Sequence, residues 1–131
     1  MLELDSENFW AFSNLAETYT AEGRDSDALA VYRKLTTLEL PKGLGKKNLS
    51  QALNARAWAF FTVGNAAKGL PDADEGLRLI PKNANSLDTR AHIYEALGRK
   101  DDAIVDYRNA IEQDPDLAES KEGLKRLGVE P

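Results

Sequence analysis

Apolar residues recur along this chain at helical spacing. Phe12, Leu15, Ala16 and Tyr19 fall at i, i+3, i+4 and i+7, one face of an amphipathic helix over residues 9–23. Gly23 offers a left-handed stop. Asp25 or Ser26 can then cap a second helix that carries Ala28, Val31, Tyr32 and Leu35 and ends near Leu40, before Pro41. The same alternation predicts a second helical hairpin over residues 49–63 and 66–80, and a third over 84–97 and 100–113, with Gly64 and Gly98 at the turns. Beyond Pro115, Leu117, Leu124 and Leu127 lie on one side of a last helix whose other faces are charged.

Laid over one another, residues 53–81 and 87–115 align at a period of 34: Leu53 with Leu87, Arg56 with Arg90, Ala57 with Ala91, Phe60 with Tyr94, Gly64 with Gly98, Pro81 with Pro115. A fixed period of this size marks a solenoid of stacked units. Gly23 and Gly64 are 41 residues apart, so the surplus falls in the Gly/Lys segment from Pro41 to Asn48, read as a lengthened surface loop. Without a preceding strand or a GxxxxGK[ST] pattern, that segment is not a phosphate cradle. The chain therefore divides into residues 1–8, a repeat over 9–40, a loop over 41–49, repeats over 50–83 and 84–117, and a capping helix over 118–128. Residues 1–8, with Leu2 and Leu4 before a stop at Asp5 and Ser6, read as the tail of a preceding repeat, with a short N-terminal cap as the alternative.

The weak element is the helix over 66–80, which contains Gly69, Pro71 and Gly76. An interior proline removes a ladder bond and costs about 3 kcal/mol, which predicts a late start or a kink. Two charged columns recur with the period, and they predict Arg56–Asp72 and Arg90–Asp106 pairs between the helices of a hairpin. Asp101 and Asp102 lie in a first helical turn, where carboxylates complement the helix dipole.

These columns resemble the tetratricopeptide repeat family over nearly the whole chain. The bulky position is Phe12, Leu53 and Leu87, the small one Ala16, Ala57 and Ala91, the aromatic one Tyr19, Phe60 and Tyr94, followed by the turn glycines. Ala28, Tyr32 and Leu35, and Ala103, Tyr107 and Ala110, match the second helix, whereas the middle unit departs with Gly69, Ala73 and Gly76. The resemblance implies an all-α fold, a right-handed superhelix of three hairpins and a capping helix. It also implies a concave side, formed by the first helix of each hairpin, that binds an extended or helical peptide of a protein partner.

Carried over position by position, that concave side is lined by Trp10, Ser13, Asn14, Glu17 and Thr20, then Gln51, Asn54, Ala55, Trp58 and Phe61, then Asn85, Asp88, Thr89, His92 and Glu95. Trp58 and Phe61 are aromatics where polar residues would suffice, so they are either interface anchors or extra core between hairpins. A subgroup of the family grips chaperone-tail carboxylates with basic and amide side chains. The corresponding positions here, Ser13, Glu17, Ala55, Asn85 and Thr89, lack that basic clamp, and Glu17 would repel a carboxylate.

Composition narrows the function. The net charge of −5 argues against a nucleic-acid or acidic-membrane partner. The absence of cysteine excludes disulfides, thiolate metal sites and cysteine nucleophiles. There is no long apolar run and no leader-like start, so a soluble chain without membrane span or signal peptide is expected; the compartment stays open, with the cytoplasm favoured. His92, the single histidine, has neither a second metal ligand nor a nucleophile beside it in the pattern. The expected function is a non-catalytic scaffold without cofactor or metal that presents a groove to a peptide. The alternative is a spacer or self-association module, whose exposed apolar start at Leu2, Leu4, Phe9 and Trp10 would suit homodimerisation or docking onto an upstream repeat.

Overall fold

The computed structural model describes the backbone of residues 2–130 and the side chains of residues 8–130. Among the described residues the chain forms seven helices and no strand: α1 (Leu2–Ala21), α2 (Asp25–Leu35), α3 (Lys46–Thr62), α4 (Ala66–Leu79), α5 (Ala84–Ala96), α6 (Lys100–Gln113) and α7 (Ala118–Arg126). Three antiparallel pairs, α1/α2, α3/α4 and α5/α6, stack in order, and α7 packs against α5 and α6. This is an all-α helical-repeat solenoid.

Each tight turn closes in the same way. Gly23, Gly64 and Gly98 have φ of 75°, 82° and 77°. The next amide then reaches back to the helix just ended: Arg24 to the Tyr19 carbonyl, Asn65 to Phe60 and Arg99 to Tyr94, each at 2.8 Å. That bond satisfies a carbonyl the helix leaves open, and the left-handed backbone it needs is cheap only for glycine. Two turns carry a further lock, Arg24 and Arg99 lying over the Tyr19 and Tyr94 rings at 4.3 and 4.5 Å.

The interior is built from small residues. Ala16, Ala52, Ala57, Ala59, Ala91, Ala103 and Ala110 are fully buried, with Phe9, Leu35, Ile93, Tyr107 and Leu124 as the large side chains among them. Both expected ion pairs form. Arg56 donates to the two Asp72 carboxylate oxygens at 2.6 and 2.8 Å, and Arg90 to those of Asp106 at 2.7 and 3.0 Å. Arg90 also reaches Asp74 on the preceding hairpin at 3.1 Å.

Several local expectations are corrected. The helix end expected at Asp5 and Ser6 is absent: α1 runs unbroken from Leu2, so residues 2–8 extend the first hairpin's own helix. Met1 and the side chains of Leu2 and Leu4 lie outside the described residues. Phe9, assigned to an exposed apolar start, is fully buried. Leu15 is 36% exposed, because α1 buries Phe9, Ser13 and Ala16 instead. Helix α2 stops at Leu35, short of Leu40. There the Thr36 and Thr37 hydroxyls bond back to the Arg33 and Lys34 carbonyls, an alternative to the helical ladder. Its cap is Arg24, without a side-chain capping bond, in place of Asp25 or Ser26. The connection between α2 and α3 consequently covers residues 36–45, and it is no free surface loop. Pro41 is buried, while Leu38, Leu40 and Leu44 pack against the first hairpin's core.

Helix α4 starts at Ala66, so the expected late start does not occur and Pro71 lies inside it. The Ala67 carbonyl that Pro71 cannot serve is on an exposed residue, where solvent can satisfy it. Its glycines act through packing. A Cβ on Gly69 would sit 2.9 Å from the Ala57 carbonyl oxygen and 3.2 Å from Ile93 Cδ1, whereas one on Gly76 would meet its nearest atoms at 3.6 Å.

Two predictions follow from this packing. Gly69→Ala loses about 1–3 kcal/mol in urea unfolding, since the close contact is with backbone. Gly76→Ala gains about 0.4–1 kcal/mol from reduced unfolded-state entropy; equal effects of the two would refute the close-approach account. Arg90→Ala costs about 3 kcal/mol, the low end for a broken buried pair, because Arg90 is 23% exposed while Asp106 is buried. Arg78→Ala, whose Glu75 partner lies on the surface, leaves the unfolding midpoint unchanged.

Candidate functional site

Of the first helices of the three hairpins, α3 packs directly against α5, and all three border the larger of two concavities. The larger, about 580 Å³, takes Trp10, Ser13, Asn14 and Glu17 from α1, Gln51, Asn54, Ala55 and Trp58 from α3, and Asn85, Asp88 and Thr89 from α5. The second, about 550 Å³, is lined by Trp58, Phe61, His92, Glu95, Ala96 and Arg126. The residues assigned to one lining therefore fall into two basins. Thr20 lines neither of these cavities, and Trp58 lines both.

Helical spacing sets this division. Asn54 and Trp58 are one turn apart on α3, as are Asp88 and His92 on α5, so the second member of each pair leads toward the turn end of the hairpin. The Trp58 ring lies 5.0 Å from Phe61 and 5.2 Å, edge-on, from His92. His92 continues the chain of rings to Tyr107 at 5.2 Å. Phe61 packs against the Ala57–Ala66–Ala73–Ile93 cluster, while Trp58 packs against the first cluster and still faces both cavities.

The larger cavity is rich in amides and acids. Among the described residues no lysine or arginine lines it, while Glu17, Asp88 and Glu119 do. Ser120 donates to Asp88 Oδ1 at 2.6 Å, and His92 Nδ1 meets the Asp88 carbonyl oxygen at 2.8 Å and Asp88 Oδ2 at 3.4 Å. Among the described residues, two buried side-chain polar atoms remain without a protein partner: Asn54 Oδ1 and Ser86 Oγ. Both residues line the cavity, and Ser86 is 2% exposed. Buried polar groups ordinarily find partners, so these two leave unmet hydrogen-bonding capacity just beneath the cavity wall.

Seven lining residues went unassigned from sequence: Tyr32, Asn83, Ser86, Leu117 and Glu119 at the larger cavity, and Ala96 and Arg126 at the smaller. Asn83 had a readable signal, an asparagine at a helix start, and its side chain accepts from the Ser86 amide at 3.0 Å. Arg126 had none. It donates to both Glu95 carboxylate oxygens at 3.0 Å and to Tyr107 Oη at 3.2 Å, and Tyr107 donates to Glu95 at 2.7 Å. This network rests on residues from three helices without a shared period.

The charges respond to these contacts. Arg126 hydrogen bonds lower the Glu95 pKa, against burial and with help from Tyr107. Burial and the Glu95 carboxylate raise that of Tyr107. For His92, burial pushes down while the Asp88 contacts push up, and the balance lies above the usual histidine value. Among the described residues no three histidine, cysteine, aspartate or glutamate side chains converge to hold a metal ion. No described helix is long and apolar enough to cross a membrane.

Comparison with known proteins gives a consistent picture. The tetratricopeptide repeat profile matches residues 89–117 and, in a second variant, residues 11–44. The mitochondrial import receptor subunit TOM34 of Rattus norvegicus is 29% identical over 106 residues, which cover 80% of this chain. The chain spans 34% of that relative's length. Among solved structures, the first TPR domain of human RPAP3 superimposes with a TM-score of 0.65 at 19% identity, covering 94% of this chain and 91% of that one. The first TPR of Spaghetti (RPAP3) bound to the HSP90 peptide SRMEEVD gives a TM-score of 0.63 at 18% identity, covering 94% and 92%.

The His92 environment yields a pH prediction. A folded-state pKa above the unfolded value, about 6.5, stabilises the fold fully below that value and loses the contribution as pH rises through the folded pKa. Thermal melts between about pH 6 and 8 should show this loss, and His92→Gln should flatten it. An imidazole NMR titration with its midpoint at or below about 6.5 would overturn the assignment.

Proposed function

Because this chain belongs to the tetratricopeptide repeat family, we propose that it is a non-catalytic interaction module whose concave face holds an extended peptide segment of a protein partner. The supporting observation is the larger cavity, where Trp10 and Trp58 stand among amide side chains and where Asn54 Oδ1 and Ser86 Oγ lack partners. A peptide in extended form carries unpaired backbone N–H and C=O groups along its length, which such side chains can meet. Half-buried tryptophans supply apolar area at low entropic cost, the character of interface anchors. The residues proposed to contact peptide are Trp10, Ser13, Glu17, Gln51, Asn54, Trp58, Asn85 and Asp88, with Phe61 and His92 extending the surface into the second cavity.

Catalysis has no support in this arrangement. The one histidine is engaged by Asp88, and the arginines at the hairpin seams are engaged by carboxylates. The first TPR of Spaghetti (RPAP3), which shares this fold, holds an HSP90 peptide, and that use of the fold supports the reading.

Selection of a phage-displayed peptide library on the immobilised chain tests the reading, followed by titration of a synthesised winner against the isotopically labelled protein. Amide shifts should cluster on α1, α3 and α5 facing the cavity. Trp58→Ala should weaken binding by about thirtyfold, corresponding to about 2 kcal/mol for an anchor. Trp58→Phe, which keeps the packing, should retain most of the affinity. Circular dichroism reports folding of both variants, and shifts confined to the opposite faces would refute the groove.

A further inference from the structure

We infer that the segment this groove accepts is cationic, an arginine- or lysine-bearing stretch of a partner protein rather than an acidic tail. The inference rests on the groove reading above and adds the chemistry of its occupant.

Charge complementarity is the first argument. Three carboxylates face the larger cavity, from Glu17 on α1, Asp88 on α5 and Glu119 on α7, with no lysine or arginine opposite them among the described residues. Glu17 and Glu119 are exposed, and neither is held in an ion pair among the described residues. Asp88 is buried and partly compensated by Ser120 and His92, so the two glutamates carry most of the field. An acidic segment such as SRMEEVD, the peptide bound to the relative above, would meet like charge here.

The hydrogen-bonding atoms supply a second, independent argument. Asn54 Oδ1 is an acceptor without a donor among the described residues, and the partnerless Ser86 hydroxyl, nearly fully buried, can accept as well as donate. Guanidinium and ammonium groups only donate, so they can serve these acceptors together with the lining carboxylates. Trp10 and Trp58 add ring faces, over which arginine in particular stacks favourably.

The test uses capped decapeptides in which alanine alternates with arginine, glutamine or glutamate, titrated against the intact chain while the Trp10 and Trp58 indole N–H signals are followed. The arginine peptide should bind at least about tenfold more tightly than the glutamine peptide, with the difference shrinking as salt rises. The glutamate peptide should leave the indole signals unmoved. The double variant Glu17→Lys, Glu119→Lys should abolish the arginine preference without altering the circular dichroism spectrum, since both sites are exposed. If library-selected peptides occupy the groove but the arginine peptide gains nothing over the glutamine one, the cationic inference falls and the groove reading stands. If neither selected nor designed peptides move groove signals, both fall. An arginine peptide that binds with shifts only outside the groove also overturns the inference.

Discussion

No hairpin in this chain keeps its core to itself. The first cluster joins Phe9, Ala16, Tyr32 and Leu35 of α1 and α2 to Ala52 and Ala59 of α3. The second gathers Ala57, Ala66 and Ala73 around Ile93, which comes from α5 of the next hairpin. Leu77 of α4 meets Leu87 and Ala110 of the third hairpin, and Ala91, Ala103 and Tyr107 are completed by Leu124 of α7. Most of the inward positions are alanines, which contribute little apolar area each but allow the helix backbones to approach closely. In the second and third clusters a large side chain, Ile93 or Leu124, comes from the neighbouring element, whereas in the first Phe9, Tyr32 and Leu35 close over alanines of the next hairpin; this shared packing holds the stack in register. It also explains the glycine inside α4. At Gly69 the backbones of α3 and α4 come so near that a methyl group would press on the Ala57 carbonyl while Ile93 leans in from the other side.

This logic made much of the fold readable in advance. A column that recurs every 34 residues encodes a contact that recurs with it, so the turn glycines, the small interior positions and the Arg56–Asp72 and Arg90–Asp106 pairs were all legible. What failed to read was whatever broke the period. The stop of α2 at Leu35 depends on two threonine hydroxyls folding back on the chain, a local competition that apolar spacing does not report. The packing of Pro41, Leu38, Leu40 and Leu44 had no counterpart in the other repeats. Pro71 and two glycines argued for a weakened α4 by propensity alone, yet the helix begins at Ala66 because tertiary packing outweighs propensity.

The candidate site was legible to a different degree. Positions one or two residues off the core stripe, Thr20 excepted, do reach the two cavities, because the helix geometry that buries Ala57 turns Trp58 toward the uncovered side. Residues brought in from outside the first helices were not legible. Glu119 enters from the start of α7, Tyr32 from α2, and Arg126 joins Glu95 and Tyr107 in a network spanning three helices. The placement of Glu119 and Arg126 depends on how α7 packs against α5 and α6, which the buried Ser120–Asp88 hydrogen bond helps to fix.

The arginines explain the electrostatic character of the groove. Arg56 and Arg90 lie on the groove-forming helices α3 and α5 but point away toward the carboxylates of α4 and α6. Arg24 and Arg99 are drawn to the turns, each stacked over a tyrosine and bonded to an aspartate. Arg126 is committed to Glu95 and Tyr107. Five of the guanidinium groups that could have faced a ligand are thus engaged in holding helices together, several of them in buried or half-buried positions where release would strand a carboxylate. What remains on the wall of the larger cavity is amide, hydroxyl, indole and carboxylate. The acidity of that wall follows from the way the solenoid is tied, so altering its charge requires adding cations at rim positions such as Glu17 and Glu119 rather than redirecting those already present.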